Sequence, residues 1–189
     1  MITRLVSGLP ILILCAAPAL ASDAPVKDQI ALFAEMKTAG HTGVARKTKE
    51  VDARAAKAGE IVVTIIKGEG VETKSKPAEE GDWVVRNRCP DTGNEEYLVK
   101  AAKFTDRYGA PLGAADAAGY IAFRPKGTEM GYFIVPTSTG AFSFKAPWGE
   151  DMVAKPGDAI VQSLSDPSDA YRVAASSFAC TYDVVTPAK

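Results

Sequence analysis

The sequence predicts a mainly β protein of the α+β class: two diverged copies of a small β module packed together, preceded by an N-terminal amphipathic helix. Three observations carry that prediction. β-Branched and aromatic runs, separated by Gly, Pro, Asp and Asn turns, recur from Glu60 onward. The same order of turn, strand, turn, strand and closing aromatics occurs twice along the chain. An apolar share of 47% over 189 residues is that of a globular chain, not a disordered one.

Residues 1–21 read as a secretory signal peptide. Arg4 supplies a basic start, Leu9 to Ala17 an apolar segment, and Ala19-Leu20-Ala21 a small-x-small cleavage site. The alternative is a lipoprotein signal ending at Cys15, but Leu14 stands where such signals place a small residue. The apolar segment falls short of the roughly 20 residues of a membrane span and Pro10 interrupts it, so no membrane span is expected. Cleavage near Ala21 predicts a periplasmic or secreted protein.

Residues 22–43 carry a helix signal. Ser22 or Asp23 can cap, Pro25 fits the first turn, and Val26, Ile30, Phe33 and Met36 form an apolar stripe. Gly40 and Gly43 end the pattern. Lys27, Asp28, Glu35 and Lys37 give the polar side mixed charge, so the stripe is expected to pack on the protein rather than on a membrane.

The first β module is placed at 44–108. Its opening, 44–58, interleaves Arg46, Lys47, Lys49, Arg54 and Lys57 with Glu50 and Asp52, which reads as a solvated strand edge or loop with a strand around Val51. Ile61 to Ile66 is a β-branched run, and Gly68-Glu69-Gly70 turns it into Val71–Ser75. Gly81-Asp82 feeds the strand Trp83–Arg86, and the Cys89–Asn94 turn leads to Tyr97-Leu98-Val99. Phe104 and Tyr108 close the block on a short helix. The Gly- and Ala-rich residues 109–119 read as a linker.

The second module, 120–189, repeats this order. Tyr132–Val135 and Ala141–Phe144 are strands, Pro156-Gly157-Asp158 feeds Ala159–Gln162, and a turn at 166–169 precedes Tyr171-Arg172-Val173. Gly81-Asp82 and Val85 fall on Gly157-Asp158 and Val161 at an offset of 76 positions. Tyr97, Val99, Ala101, Phe104 and Tyr108 fall on Tyr171, Val173, Ala175, Phe178 and Tyr182 at an offset of 74. The one gap lies in a turn, where chain length is cheapest to change. In each copy Gly is expected at a positive-φ turn position, and Asp on its own turn backbone. Phe and Tyr four apart share one side of a helical turn.

The run Met152 to Val161, followed by Asp169-Ala170-Tyr171-Arg172-Val173 and Phe178-Ala179-Cys180-Thr181-Tyr182, resembles a family of small bacterial domains named for a PGDYG motif. It is similar also to related phage-associated modules. The resemblance covers about half of the chain that follows residue 21. It implies no established activity, cofactor or catalytic residue. Ala159 stands where the family motif has an aromatic, and Glu80 replaces the Pro in the first copy.

Composition narrows the chemistry. Lys and Arg number 22 against 23 Asp and Glu, a net charge of -1, which gives no electrostatic footprint for nucleic acid. The single histidine, His41, sits between Gly40 and Gly43 without a Gly-x-Ser-x-Gly motif anywhere, and reads as a surface loop residue. No Cys/His metal spacing is present, so neither metal nor cofactor is expected. Export would leave Cys89 and Cys180, which are expected to pair across the two modules; two buried free thiols are the alternative. Asp82 and Asp158 invite a paired-carboxylate mechanism, but the turn role is the stronger reading.

The best ligand-site candidate is the aromatic stretch around Phe142, Phe144 and Trp148, with Lys145 or Glu150 at its rim. Such a groove would hold a peptide, glycan or small molecule, or dock a partner of the cell envelope. The leading expectation is therefore an exported, non-catalytic binding or structural module. The competing one is a cell-envelope hydrolase that uses carboxylates.

Overall fold

The computed structural model describes residues 24–189. The signal peptide expected at residues 1–21, and the capping roles expected of Ser22 and Asp23, lie outside the described residues. The chain is mainly β, as its turn and strand pattern predicts, with fourteen strands and three α-helices among the described residues. No helix among them is long and apolar enough to cross a membrane.

The N-terminal helix α1 (Gln29–Thr38) begins later than expected. Asp28 caps it, its carboxylate accepting from the N–H groups of Ile30 and Ala31. Val26 lies ahead of the helix and is 84% exposed, so the stripe does not start there. Phe33 is its fully buried apolar anchor, packed on Phe133 and seated over Gly131, where a Cβ would fall 2.9 Å from the Phe33 ring. Leu32 and Met36 pack at its edge.

Two five-stranded antiparallel sheets form the body. The first runs β6-β5-β2-β8-β7, from β2 (Val51–Ala55), β5 (Trp83–Asn87), β6 (Glu96–Val99), β7 (Tyr108–Pro111) and β8 (Ile121–Pro125). The second runs β13-β12-β9-β1-β14, from β1 (Gly43–Lys47), β9 (Glu129–Ile134), β12 (Ala159–Ser163), β13 (Ala170–Val173) and β14 (Tyr182–Thr186). Each carries a side hairpin: β3 (Val63–Ile66) with β4 (Gly70–Lys74), and β10 (Phe142–Lys145) with β11 (Asp151–Ala154). Helix α2 (Ala101–Arg107) joins β6 to β7, and α3 (Ala175–Thr181) joins β13 to β14.

Chain order and sheet order therefore run alike in the two halves, with one exchange. The strand beside β2 is β8, whereas the strand beside β9 is β1, brought from the other end of the chain. The module bounds expected at 44–108 and 120–189 do not follow the sheets, because β1 belongs to the second sheet and β8 to the first. The segment expected to be a linker at 109–119 begins as β7, paired to β8, and Leu112 donates to the Ala122 carbonyl. Its Gly and Ala residues conceal a strand whose pairing partner, not its composition, holds it extended.

The charged stretch 44–58 is likewise not a solvated edge. It supplies β1 and β2, both interior strands, and Ala45, Val51 and Ala53 are fully buried. Apart from Lys47, which falls on the Ala45 face of β1, the charged residues alternate with these small ones and occupy the opposite face. There Arg88 pairs with Glu50 and Asp52, Arg86 with Asp52, and Arg54 with Glu60. In register, β9 carries Gly131 and Phe133 where β2 carries Asp52 and Arg54. The second sheet therefore needs α1 as a cover, and the first does not.

The cores differ in which strand supplies bulk. Trp83 on β5 stacks on Phe104 at 4.3 Å in the first half, beside Ala53 on β2. In the second half β12 carries Ala159, and Tyr132 on β9 packs on Phe178 at 5.0 Å. Gly43 makes room for it: a Cβ there would lie 2.7 Å from the Tyr132 ring and against the Thr186 carbonyl. Volume is thus kept while strands exchange it.

Candidate functional site

Two turns set the geometry from which the site is built. Gly81 and Gly157 hold φ of +87° and +94°. Asp82 accepts from the Glu79 N–H at 2.8 Å and from the Ala101 N–H at 3.2 Å, so one carboxylate fastens its own turn and the start of α2. Asp158 does the same with Lys155 N–H at 2.8 Å and Ala175 N–H at 3.1 Å, at the start of α3. Against the penalty of burial, these amides and the Lys100 ammonium hold the Asp82 carboxyl below its ordinary range. Asp158 takes its cation from Arg172, whose Nε donates at 2.7 Å. The two carboxylates serve separate turns and do not meet as a pair.

Each helix then presents aromatics inward. Phe104 and Tyr108 pack at 4.9 Å, Phe178 and Tyr182 at 5.0 Å, so both helices end on a Tyr at the seam between the sheets. Tyr97 on β6 and Tyr171 on β13 join them. A cavity of about 400 Å³ opens at this seam, and its wall includes Tyr97, Tyr108, Tyr171 and Tyr182. The Tyr97 and Tyr108 hydroxyls lie 3.0 Å apart. Burial, reinforced by neighbouring phenols, raises Tyr97 and Tyr182 well above the ordinary phenol range. Burial also pushes Tyr108 up to about 12. These three act as neutral hydroxyls.

The charged groups of the wall fall into two kinds. Most are paired. Arg172, 3% exposed at its side chain, is held by Asp158, Glu69 and Glu72 at 2.6–2.7 Å. Asp169 accepts from Lys103 and Arg107, and Arg107 also lies 5.2 Å over the Tyr171 ring. Glu95 is buried, with its oxygens occupied by Asn87, Thr92 and Ser177. Lys47 differs. Its ammonium donates to Asn87 Oδ1 at 2.7 Å and to the Tyr97 hydroxyl at 2.8 Å, with no carboxylate within 4 Å among the described residues. Burial lowers it to about 7, opposed by the charge of Glu95 and assisted by that of Arg107. Glu72 is pushed up to about 7 by burial, which outweighs Arg172 and adds to the charges of Glu95 and Glu69.

The residues expected to form an aromatic groove separate. Phe142 and Phe144 are buried in a core with Phe33 and Phe133 and line no groove. Their face of the hairpin is covered from α1, which lies more than a hundred positions earlier in the chain. Lys145 is exposed and pairs with Asp151 at 2.7 Å. Trp148 and Glu150 do reach the cavity, and Trp148 packs on Tyr171 at 5.4 Å. The tyrosines were visible in sequence as matched positions, but as core residues. Lys47 had no local signal.

A second depression of about 640 Å³ lies on the outer face of the first sheet, along Asp52, Arg86, Arg88, Val63 and Ile65. It is open, and its arginines are already paired with Glu50 and Asp52. Cys89 and Cys180 lie within bonding distance, their Cα atoms 6.2 Å apart, and tie the exit of β5 to α3. Among the described residues no cluster of His, Cys, Asp and Glu has the form of a metal site. Comparison with family models, with curated proteins and with solved structures returns no match to this chain.

Proposed function

We propose that the protein is an exported binding module that holds a small molecule between two diverged copies of one β unit. The observation that carries this reading is the 400 Å³ cavity at the seam, bounded by four tyrosines, Trp148 and the buried ammonium of Lys47. Mostly apolar walls with a few fixed polar groups are the form of small-ligand sites. The duplication is supported by the shared element order and by the matching Asp82 and Asp158 clamps at offsets of 76 and 74. Export is supported by the character of residues 1–21 and by the cysteine pair. The same pair crosses the seam and holds the two halves at one separation.

A carboxylate hydrolase has one observation in its favour: Glu72 near 7 shares the cavity with Glu95, which is held below its ordinary range despite burial by bonds from Ser177, Thr92 and Asn87. Such divergence marks acid–base pairs in enzymes. Here Glu95 already accepts from three donors, and Glu72 bonds Arg172 at 2.6 Å. The binding reading is therefore the stronger.

Titration with 1-anilinonaphthalene-8-sulfonate, an aromatic anion whose emission rises in apolar surroundings, tests it. One saturable site per chain is expected, abolished by Met130→Trp, which plugs the cavity from β9, with the circular dichroism unchanged. The exposed apolar hairpin residues Ile61, Val63, Ile65 and Val71 offer the dye another location. Binding that survives Met130→Trp and is lost in Ile65→Ser would overturn the proposal, as would the absence of saturable binding.

A further inference from the structure

Of the cations on the cavity wall, Lys47 alone is committed to no carboxylate among the described residues. Lys103 and Arg107 share Asp169, Lys100 bonds Asp82 and Glu79, and Arg172 has three acidic partners. An ammonium has three protons to donate. Those of Lys47 go to Asn87 Oδ1 and the Tyr97 hydroxyl, both neutral acceptors, which leaves one for a group inside the cavity. A buried charge without a counter-ion is costly to keep, and an anion that enters beside it removes that cost.

The surroundings specify the rest of the ligand. Tyr182 lies opposite Lys47 in the β1–β14 register, and Tyr171 and Trp148 continue the same wall. A planar ring can pack against such an aromatic wall. Tyr108, bonded to Tyr97, sets a second hydroxyl close to the ammonium. We propose that the cavity takes a small aromatic carboxylate, with its carboxylate on Lys47 and its ring against Tyr171 and Trp148. This assignment rests on the binding reading given above and names the ligand class for the same site.

Charged and titratable groups face Lys47 from several elements: Glu95 from the β5–β6 connection, Arg107 from α2, Tyr97 from β6, Tyr108 from β7 and Tyr182 from β14. The phenols stay neutral over the useful range and Glu95 stays ionised. In the free protein Lys47 loses its proton near pH 7, and a bound carboxylate restores it. Carboxylate binding therefore takes up a proton above pH 7 and weakens as pH rises. Glu72 titrates over the same interval and needs a control.

Benzoate and its neutral analogue benzyl alcohol, titrated calorimetrically into the folded protein at pH 6.5 and 9, test the assignment. Wild type is expected to bind benzoate at least about tenfold more tightly than benzyl alcohol at the lower pH. That preference should fall about tenfold by the higher pH, and Glu72→Gln should keep the fall. Lys47→Met should retain benzyl alcohol and lose the preference. A preference that survives Lys47→Met, or no preference in wild type, overturns the carboxylate assignment. If Lys47→Met does not fold, the wild-type and Glu72→Gln pH series decides alone. Failure of both probes while anilinonaphthalene sulfonate still binds the cavity refutes the ligand class only, whereas loss of that dye refutes the cavity reading itself.

Discussion

Asp82 and Asp158 show how one residue type does equal work in two surroundings. Each fastens a turn and a helix start, but the cation of Asp82 is the half-exposed Lys100, whereas that of Asp158 is the buried Arg172. Asp158→Asn weakens a charge-assisted bond to the Arg172 Nε inside a buried group that keeps Glu69 and Glu72, whereas the Asp82–Lys100 pair is partly screened by solvent. Asp158→Asn is therefore expected to destabilise the fold by about 3 kcal/mol, and Asp82→Asn by about 1 kcal/mol. Chemical denaturation of the two variants checks the order; equal losses would contradict it. The Gly-Asp turns were legible in sequence because Gly and Asp each have a local reason to be there. The third partner was not, since Arg172 meets Glu69 and Glu72 only after the β3–β4 hairpin has folded beside β13.

Among the elements, β1 and α1 carry what the sequence concealed. A strand of alternating small and charged residues looks like a surface segment until its neighbours on both sides are known. The insertion of β1 between β9 and β14 buries Ala45 and turns Lys47 inward, so the most consequential charge of the cavity lay inside a stretch read as solvated. Phe142 and Phe144 fail in the opposite direction. Their alternation correctly gave a strand, but whether that strand faces water depends on α1. Phe33 is the ring that α1 inserts over Gly131 and Phe133. Phe33→Ala is expected to cost about 3–5 kcal/mol and to expose the Phe133 core, read as a fall in the denaturation midpoint. A loss below about 1 kcal/mol would mean that α1 is only loosely docked.

At the scale of the whole molecule, the β3–β4 hairpin, the strands fed by the Gly-Asp turns and the helices were readable from turn chemistry and period, and the mainly β class followed from them; the sheet order was not, because β7 read as a linker and β1 pairs in the other half. The location of the cavity was not, because it is made where two sheets meet, and no local pattern encodes their separation. The Cys89–Cys180 pair and the exchange of β1 for β8 both cross that boundary, so the halves are held as one body around a shared interior. The seam is also where hydroxyls, an uncommitted ammonium and stacked rings converge. The most direct test of its role is a crystal structure with 4-bromobenzoate, with the bromine located by its anomalous signal. The prediction is one strong peak between the sheets near Trp148 and Tyr171, with the carboxylate at Lys47. A peak confined to the exposed β3–β4 hairpin, with nothing between the sheets, would contradict it.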